Sequence, residues 1–330
     1  MNRIGKTPKL SVIVPVYGVE KYIERCARSL FEQTLTDIEF IFIDDRTLDN
    51  SMVILDGIIK MYRPCFVKKG WTVTIDTMPT NSGLPAVRRH GIQLATGEYI
   101  AHCDSDDWVD KEMYKQMYDA AKASDADCVV CDYFKTDGKS NHRRVKACHS
   151  DKINIYFENL LFQRDSWTLW NKLFRKTIYN KEIVFPKYAM GEDFVLCIQL
   201  VWNSKTMVYI NKPFYNYYFN DQSITKSVSE EAIEKRFHQS VMNAEDILTF
   251  FKNNGIYEKY EEALECLLIN KKNILLPLIS KKKYYKMWRE TFPQLDLKIL
   301  TNRRYPVRSK VKHLIALSPL RFFLDKRNNA

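Results

Sequence analysis

The chain has 330 residues, of which 45% are apolar and 28% are charged, as is usual for soluble globular proteins. Its formal net charge is +11, yet residues 271–330 alone hold 16 basic and 3 acidic residues, which leaves residues 1–270 with a balance of −2. A near-neutral body with a basic tail argues against a nucleic-acid-binding protein whose whole surface is positive.

Short apolar runs alternate with amphipathic segments over the first 133 residues. Runs rich in β-branched and aromatic residues predict buried strands, and apolar residues at helical spacing predict helices between them. In chain order, strands are predicted at residues 10–16, 40–43, 71–75, 98–103 and 127–133, and helices at residues 22–31, 52–62, 84–95 and 111–123. This alternation predicts an α/β fold with a mostly parallel, Rossmann-like sheet and helices on both faces.

The rest of the chain has a different character. Residues 136–150 are polar and basic without periodicity, which predicts a mobile loop. Residues 154–220 are rich in aromatic residues and mixed in pattern. Helical spacing returns after residue 229 and predicts helices at residues 232–251, 257–269 and 282–288. A domain boundary is therefore expected near residue 225.

Two acidic clusters follow predicted strands, where α/β sheets bind their ligands. Asp104, Asp106 and Asp107 come after the fourth strand, and Asp44 and Asp45 after the second. Three carboxylates within four residues repel one another unless a cation offsets their charge, and their hard oxygen ligands suit Mg²⁺ or Mn²⁺. The alternative is a helix start capped by Asp106 or Asp107. For Asp45, a hydrogen bond from a nucleobase competes with an Asx-turn or helix cap, which the local sequence favours.

A third acidic pair, Glu192 and Asp193, opens a predicted apolar helix. Negative charge stabilises a helix N-terminus, which is one explanation of this pair. The other is a general base, which must be ionised near neutral pH and lie within hydrogen-bond reach of an acceptor hydroxyl.

The cysteine and histidine residues indicate no zinc site. Cys128 and Cys131 lie inside a predicted strand without a second Cys/His pair, so we expect core thiols. His102 is expected to be structural. Because the eight cysteines form no disulfide framework and no signal peptide is visible, the expected location is the reducing cytoplasm.

The basic tail combines its charge with apolar side chains. Residues 310–317 and 320–324 mix Lys and Arg with aliphatic and aromatic residues, and Pro319 separates the two segments. Such a composition suits a helix lying on an anionic membrane. A helix that packs against the body and turns a cationic face to solvent fits equally well, and the sequence leaves both interpretations open.

Seven motifs in order resemble the family 2 glycosyltransferases with the A-type fold, which transfer sugars from nucleotide-sugar donors. They are residues 11–17, residues 33–34 with 39–45, residues 81–91, residues 95–100, residues 104–107, residues 170–174 and residues 191–193. The resemblance covers about residues 8–225. It implies a catalytic domain at residues 1–225, with a nucleotide-binding part at about 8–133 and an acceptor part at about 150–225, followed by a helical basic region at 226–330.

The resemblance implies a donor site at the matching positions. Pro15, Tyr17 and Asp45 would line the pocket for the base, with Tyr17 stacking on it and Asp45 accepting a hydrogen bond. Arg88 would help to hold the nucleotide, and Asp104 would lie near the ribose.

The resemblance also implies a metal and a catalytic base. Asp106 would bind Mn²⁺ or Mg²⁺ with Asp104 and Asp107 close by, and Asp193 would be the general base. The remaining implied substrate-binding residues are Trp170, Lys172 and Glu192.

We therefore expect an inverting, metal-dependent glycosyltransferase acting in surface polysaccharide synthesis. It would move a sugar from a nucleotide-diphosphate sugar, most simply a UDP-sugar, to a hydroxyl of a saccharide or lipid-linked saccharide. It would use no nucleic acid, and its tail would allow peripheral contact with an anionic membrane on the cytoplasmic side. The alternatives are a nucleotidyltransferase, which would usually show a Gly-rich loop where Pro15 to Gly18 stand, and a non-catalytic polyanion-binding protein.

Overall fold

The computed structural model describes residues 7–219 and 229–328. Within these residues the chain divides into two compact units, the first made of residues 7–189 and 196–219 and the second of residues 190–195 and 229–328. The domain boundary expected near residue 225 lies outside the described residues, so the division into residues 1–225 and 226–330 stays a prediction.

Within the described residues, nine strands form one sheet, which belongs to the first unit. Its order is β3-β2-β1-β4-β8-β6-β9-β5, with β7 paired to β6. The strands are β1 (Leu10–Val16), β2 (Ile38–Asp44), β3 (Thr72–Thr77), β4 (Tyr99–His102), β5 (Trp108–Val109), β6 (Cys128–Thr136), β7 (His142–Val145), β8 (Lys172–Arg175) and β9 (Met207–Tyr218).

Helices connect these strands and form most of the second unit. In the first unit they are α1 (Ile23–Phe31), α2 (Ser51–Lys69), α3 (Leu84–Leu94), α4 (Met113–Ala123), α5 (Ile153–Leu161) and α6 (Lys176–Tyr179). Helix α7 (Glu192–Asn203) begins in the second unit, which also holds α8 (Glu230–Asn253), α9 (Glu261–Lys272), α10 (Lys282–Glu290), α11 (Leu295–Thr301) and α12 (Val307–Leu317). Short 3₁₀ helices lie at Glu258–Tyr260, Asn273–Leu278 and Pro319–Asn328.

The expected α/β class is confirmed, and the sheet has two different halves. Strands β1 to β4 pair in parallel in the order β3-β2-β1-β4, as the strand–helix alternation predicts. Beyond β4 the pairs β4–β8, β6–β8, β6–β7 and β5–β9 are antiparallel, whereas β6–β9 is parallel. Strand β7 replaces part of the loop expected at residues 136–150. It follows β6 after a short connection, which suits an antiparallel pair because parallel strands need a longer crossover.

Two glycines bring other segments close to β1. A Cβ atom on Gly91 of α3 would lie 2.4 Å from the Cγ2 atom of Ile13, and one on Gly97 would lie 2.6 Å from the backbone nitrogen of Ser11. The buried carboxylate of Glu39 accepts hydrogen bonds from the Thr96 hydroxyl at 2.9 Å and the Gly97 N–H at 2.9 Å. These contacts give the two motifs around residues 91 and 97 a structural role, because they position α3 and β4 against β1.

The second unit has its own apolar core. Side chains of α8, α10, α12 and the intervening 3₁₀ helices pack together, among them Phe237, Leu275, Ile279, Trp288 and Ala316. No helix in the described part of the chain is long and apolar enough to cross a membrane.

Candidate active site

Asp45 fastens the loop that precedes α3. It follows β2 and is buried, and its Oδ1 and Oδ2 atoms accept hydrogen bonds from the backbone N–H groups of Ser82 at 2.7 Å and Gly83 at 2.8 Å. The local turn is made by its neighbour, since Asp44 Oδ1 accepts from the Thr47 N–H at 2.8 Å. The contact of Asp45 with a nucleobase stays a prediction.

The end of β1 lies beside Asp45. The Asp45 N–H donates to the Val16 carbonyl at 3.0 Å, so the two strand ends meet at the same edge of the sheet. Tyr17 is 51% exposed there, and Pro15 is only partly buried within an otherwise buried strand. An accessible aromatic ring next to a buried carboxylate is an arrangement that suits a planar, hydrogen-bonding base.

Arg88 contacts the acidic loop, residues 104–107, that follows β4. Its side chain is 1% exposed, and its Nη2 atom donates to Asp104 Oδ1 at 2.8 Å. Burial, with the nearby Arg88 charge, holds the pKa of His102 well below its usual value, so this histidine is neutral near pH 7 and its structural role stays a prediction. The partner seen for Arg88 is thus a carboxylate, and its predicted contact with the nucleotide stays a prediction.

Asp107 is held by β9. Its Oδ2 atom accepts from the Tyr215 hydroxyl at 2.7 Å and its Oδ1 atom from the Tyr218 N–H at 2.7 Å. Burial, followed by the charges of Asp106 and Asp104, raises the pKa of Asp107 well above its usual range. Both carboxylate oxygens accept hydrogen bonds and the residue is fully buried, which suits a structural support of the loop, and binding of a metal by Asp107 stays a prediction.

Asp106 is the carboxylate that best fits a cation. Burial and the nearby Asp104 raise the pKa of Asp106 to about 6, because both disfavour the negatively charged carboxylate. A bound cation would stabilise that charge. The described residues contain no group of three or more His, Cys, Asp or Glu side chains that could enclose a metal. Mg²⁺ needs only one or two carboxylates when substrate phosphates complete its shell, so binding of a metal by Asp106 and Asp104 stays a prediction.

Trp170 and Lys172 are placed in the core. The Trp170 ring stacks on Tyr215 with centroids 4.2 Å apart and an interplanar angle of 16°. Lys172 is fully buried, and its Nζ atom donates to the carbonyls of Ser166 at 2.7 Å and Thr168 at 2.6 Å. These surroundings suit positioning roles, and their predicted contact with substrate stays a prediction.

Glu192 and Asp193 open α7 in the second unit. Gly191 precedes them with φ +84°, a left-handed conformation that glycine adopts without strain. The segment is tied to α8, because the Met190 N–H donates to the Gln239 side chain at 3.1 Å and its carbonyl accepts from Asn243 at 2.9 Å. Glu192 is buried and Asp193 is partly exposed. Their membership of the same site as Asp106 stays a prediction.

Sequence reasoning missed the side chains that hold the acidic loop. The Tyr215 hydroxyl accepts the Asp104 N–H at 3.1 Å in addition to its bond with Asp107. Arg25 of α1 donates to the Asp106 carbonyl at 2.9 Å, and its guanidinium carbon lies 3.7 Å from the centroid of a Trp108 ring. The available signal is the run of aromatic residues at 214–219, which lies within the mixed pattern of residues 154–220.

Comparison with known proteins identifies a family model and similar curated relatives. Residues 11–185 match the family model described as "Glycosyl transferase family 2". EpsH of Bacillus subtilis (strain 168), named as a glycosyltransferase, is 29% identical over 272 residues, which are 80% of this chain and 75% of EpsH.

Solved structures share the fold over almost the whole chain. The crystal structure of Staphylococcus aureus TarS 1–349 matches with a TM-score of 0.67 and 17% identity, covering 97% of this chain and 91% of that one. The same fragment in complex with UDP-GlcNAc has a TM-score of 0.60 at 16% identity and the same coverage. A mannosyltransferase from Pyrobaculum calidifontis, in complex with GDP-Man and Mn²⁺, has a TM-score of 0.52 at 12% identity and covers 98% of this chain and 89% of its own.

Proposed function

Because this chain belongs to glycosyl transferase family 2, we propose that it is an inverting, metal-dependent enzyme that uses a UDP-sugar. It is a glycosyltransferase, and the A-type fold expected from the sequence is confirmed. The finer proposal rests above all on one observation. The adjacent parallel strands β2, β1 and β4 bring Asp45, Tyr17 and Asp104 to the edge of the sheet where such folds bind ligands.

The nucleotide would lie across the ends of β1 and β2. Tyr17 offers an exposed ring for stacking, and the lone pairs of Asp45 that its backbone partners leave can accept from the base. Asp104, held in place by Arg88, would face the ribose and diphosphate. The likeness to the TarS fragment that binds UDP-GlcNAc supports a uridine nucleotide as the first donor to test.

Asp106 and Asp104 would hold Mn²⁺ or Mg²⁺. Asp107 would support the loop through the hydrogen bond that it accepts from Tyr215. When bound, the metal would neutralise negative charge that develops on the diphosphate leaving group. The likeness to a mannosyltransferase bound to Mn²⁺ supports this assignment. Arg25 would keep the Asp106 backbone in place through its hydrogen bond to the carbonyl.

Asp193 would act as the general base. Its carboxylate lies in the first turn of α7, beside the partial positive charge of the helix N-terminus. It would accept the proton of the acceptor hydroxyl while the acceptor oxygen attacks the anomeric carbon from the face opposite the diphosphate. A single displacement of this kind inverts the configuration, so an α-linked donor would give a β-glycoside.

The acceptor would be a saccharide or a lipid-linked saccharide of surface polysaccharide synthesis. All eight cysteines are free thiols, seven of them buried, which supports a reducing compartment such as the cytoplasm. A lipid-linked acceptor would also bring the enzyme to a membrane surface.

A screen of nucleotide-sugars tests this function. The purified chain is incubated with each donor in Mn²⁺, in Mg²⁺ and in excess chelator, and release of nucleoside diphosphate is measured with and without saccharide acceptors. We expect metal-dependent release from one donor class, and NMR of the product would give the anomeric configuration. Retention of configuration would contradict the single displacement. Release of pyrophosphate from a nucleoside triphosphate and a sugar phosphate would favour a nucleotidyltransferase instead.

A further inference from the structure

The exposed side of α12 carries a line of apolar side chains. Val307, Val311 and Leu314 are 75%, 49% and 46% exposed, and their spacing of four and three residues puts them on one face of the helix. Leu320 and Phe322 of the following 3₁₀ helix are also exposed. Single exposed apolar residues are ordinary, but five of them within 16 residues indicate an interaction surface.

The opposite side of α12 already supplies the packing that the helix needs. His313 and Ala316 are fully buried there. The His313 ring lies 5.2 Å from the Trp288 ring, its Nε2 atom lies 3.4 Å from Asp296 Oδ1, and Ala316 joins the apolar core of the second unit. The core therefore uses one face of α12, and the described residues of this unit do not cover the exposed line of apolar side chains.

Cationic side chains flank the apolar line. At 100° per residue, Arg308 and Lys312 fall on one side of it and Lys310 on the other. Arg308 and Lys312 are exposed, while Lys310 reaches the Leu300 carbonyl at 2.8 Å. Residues 303–322 contain six Lys or Arg residues and no Asp or Glu. The surface is thus apolar along its centre and positive along its margins.

We propose that this surface, formed by Val307, Val311, Leu314, Arg308 and Lys312 and called here the α12 face, binds an anionic lipid bilayer. The helix axis would run parallel to the membrane plane, with the apolar line in the headgroup region and the cations against lipid phosphates. A second copy of the chain is a poorer partner, because an isologous contact between two α12 faces would bring their cationic margins together. The proposal deepens the proposed function by stating where the enzyme would work. Vesicle binding is measured independently of sugar transfer.

Vesicle sedimentation of the full chain tests this proposal. Vesicles of phosphatidylcholine alone are compared with vesicles containing about 30 mol% phosphatidylglycerol, at about 50 mM and about 500 mM NaCl. We expect binding to the anionic vesicles that weakens with salt. Val311→Glu/Leu314→Glu and Arg308→Gln/Lys312→Gln should each lower the partition coefficient at least about tenfold. Val53→Glu, which changes a 73% exposed valine of α2, is the matched control and should bind like the wild type.

Three outcomes would overturn the proposal. They are absence of wild-type binding to anionic vesicles, binding by both α12 variants equal to that of the wild type, and self-association that Val311→Glu/Leu314→Glu abolishes while vesicles remain unbound. Circular dichroism checks folding, and if the glutamate pair unfolds, the glutamine pair decides because it alters only exposed side chains. Hydrolysis of a soluble nucleotide-sugar in the same samples separates the two ideas. Hydrolysis without vesicle binding rejects only the membrane surface, and vesicle binding without hydrolysis rejects only the proposed chemistry.

Discussion

Arg88 Nη2 lies 2.8 Å from Asp104 Oδ1, which joins a buried arginine of α3 to the first carboxylate of the loop after β4. Arg88 is 1% exposed, whereas the Asp104 side chain is 26% exposed. Arg88 is therefore shielded from solvent, whereas the Asp104 carboxylate is still accessible at the surface where a donor would bind.

Replacing Arg88 tests the importance of this pair. Arg88→Met keeps much of the side-chain volume but leaves Asp104 without its cationic partner. We expect a loss of about 2 kcal/mol in the free energy of unfolding, because a hydrogen bond to a charged group is lost and the 26% exposed Asp104 carboxylate is only partly hydrated. Urea denaturation measures it. Arg28→Met is the control, since its exposed pair with Glu24 should hardly affect stability. Equal midpoints for the two variants would contradict a supporting role of Arg88.

Asp106→Asn should separate activity from stability. The change removes a partly buried negative charge whose ionised form is disfavoured, so thermal unfolding in metal-free buffer should show no loss of stability. Metal-dependent donor hydrolysis should fall at least about a hundredfold, because the cation would lose its main ligand. Asp119→Asn, at an exposed aspartate of α4, is the control for removing one carboxylate. Unchanged hydrolysis by Asp106→Asn would reject this residue as a metal ligand.

Asp193→Asn distinguishes a general base from a helix-terminal charge. We expect kcat for transfer to fall by about 10² to 10⁴, the usual range for loss of a positioned base. Glu231→Gln makes the matched change in the first turn of α8, where only the helix terminus is affected, and should leave transfer unchanged. If Asp193→Asn and Glu231→Gln both transfer at the wild-type rate, Asp193 is not the general base and another group must accept the proton.

Tyr215→Phe should weaken the acidic loop from β9. The change removes the hydroxyl that accepts the Asp104 N–H and donates to Asp107. Because buried polar groups would lose their partner, the free energy of unfolding should fall by about 1–3 kcal/mol, and donor hydrolysis should fall with it. Tyr217→Phe is a suitable control, since its ring also stacks on Trp170. Identical behaviour of the two variants would mean that the ring, and not the Tyr215 hydroxyl, supports the loop.

Asp296 should make the stability of the second unit depend on pH. Burial alone would raise its pKa, but the nearby His313 and the hydrogen-bonded ion pair with Lys272 outweigh burial and lower it. A carboxyl group whose pKa is lowered by folding stabilises the folded state at pH values above its pKa in the unfolded chain. This stabilisation is lost as the pH falls through its pKa in the folded protein. Asp296→Asn should therefore cost about 3 kcal/mol at neutral pH, because it leaves Lys272 buried without its counter-charge, and less in acid.

Thermal melts of the two proteins across the acidic range measure this effect. Glu290→Gln, at an exposed glutamate of α10 paired only loosely with Lys286, is the control and should melt like the wild type at every pH. A constant difference between Asp296→Asn and the wild type at all pH values would contradict the titration of Asp296.

Much of the parallel half of the sheet could be predicted because its signals are local. Strand β1 matches its predicted bounds, and the helices predicted at residues 22–31, 84–95 and 111–123 differ from α1, α3 and α4 by at most two residues at either end. Strand β7 could not be predicted, because its residues are polar and only pairing with β6 makes them a strand. Local periodicity reports which face of a segment is buried, not which distant segment it pairs with.

The sequence by itself determined the family, the α/β class and the carboxylates at the strand ends, since each depends on residue types at short spacing. Only the tertiary structure decided what each carboxylate does. Asp45 holds the loop before α3, Asp107 is bound by Tyr218 across 111 residues of chain, and Asp106 stays the best candidate for a cation. The tertiary structure also decided which face of α12 packs into the core of the second unit. Such partners lie far apart in the chain, and hydrogen bonding and burial between them follow from packing, which no local pattern records.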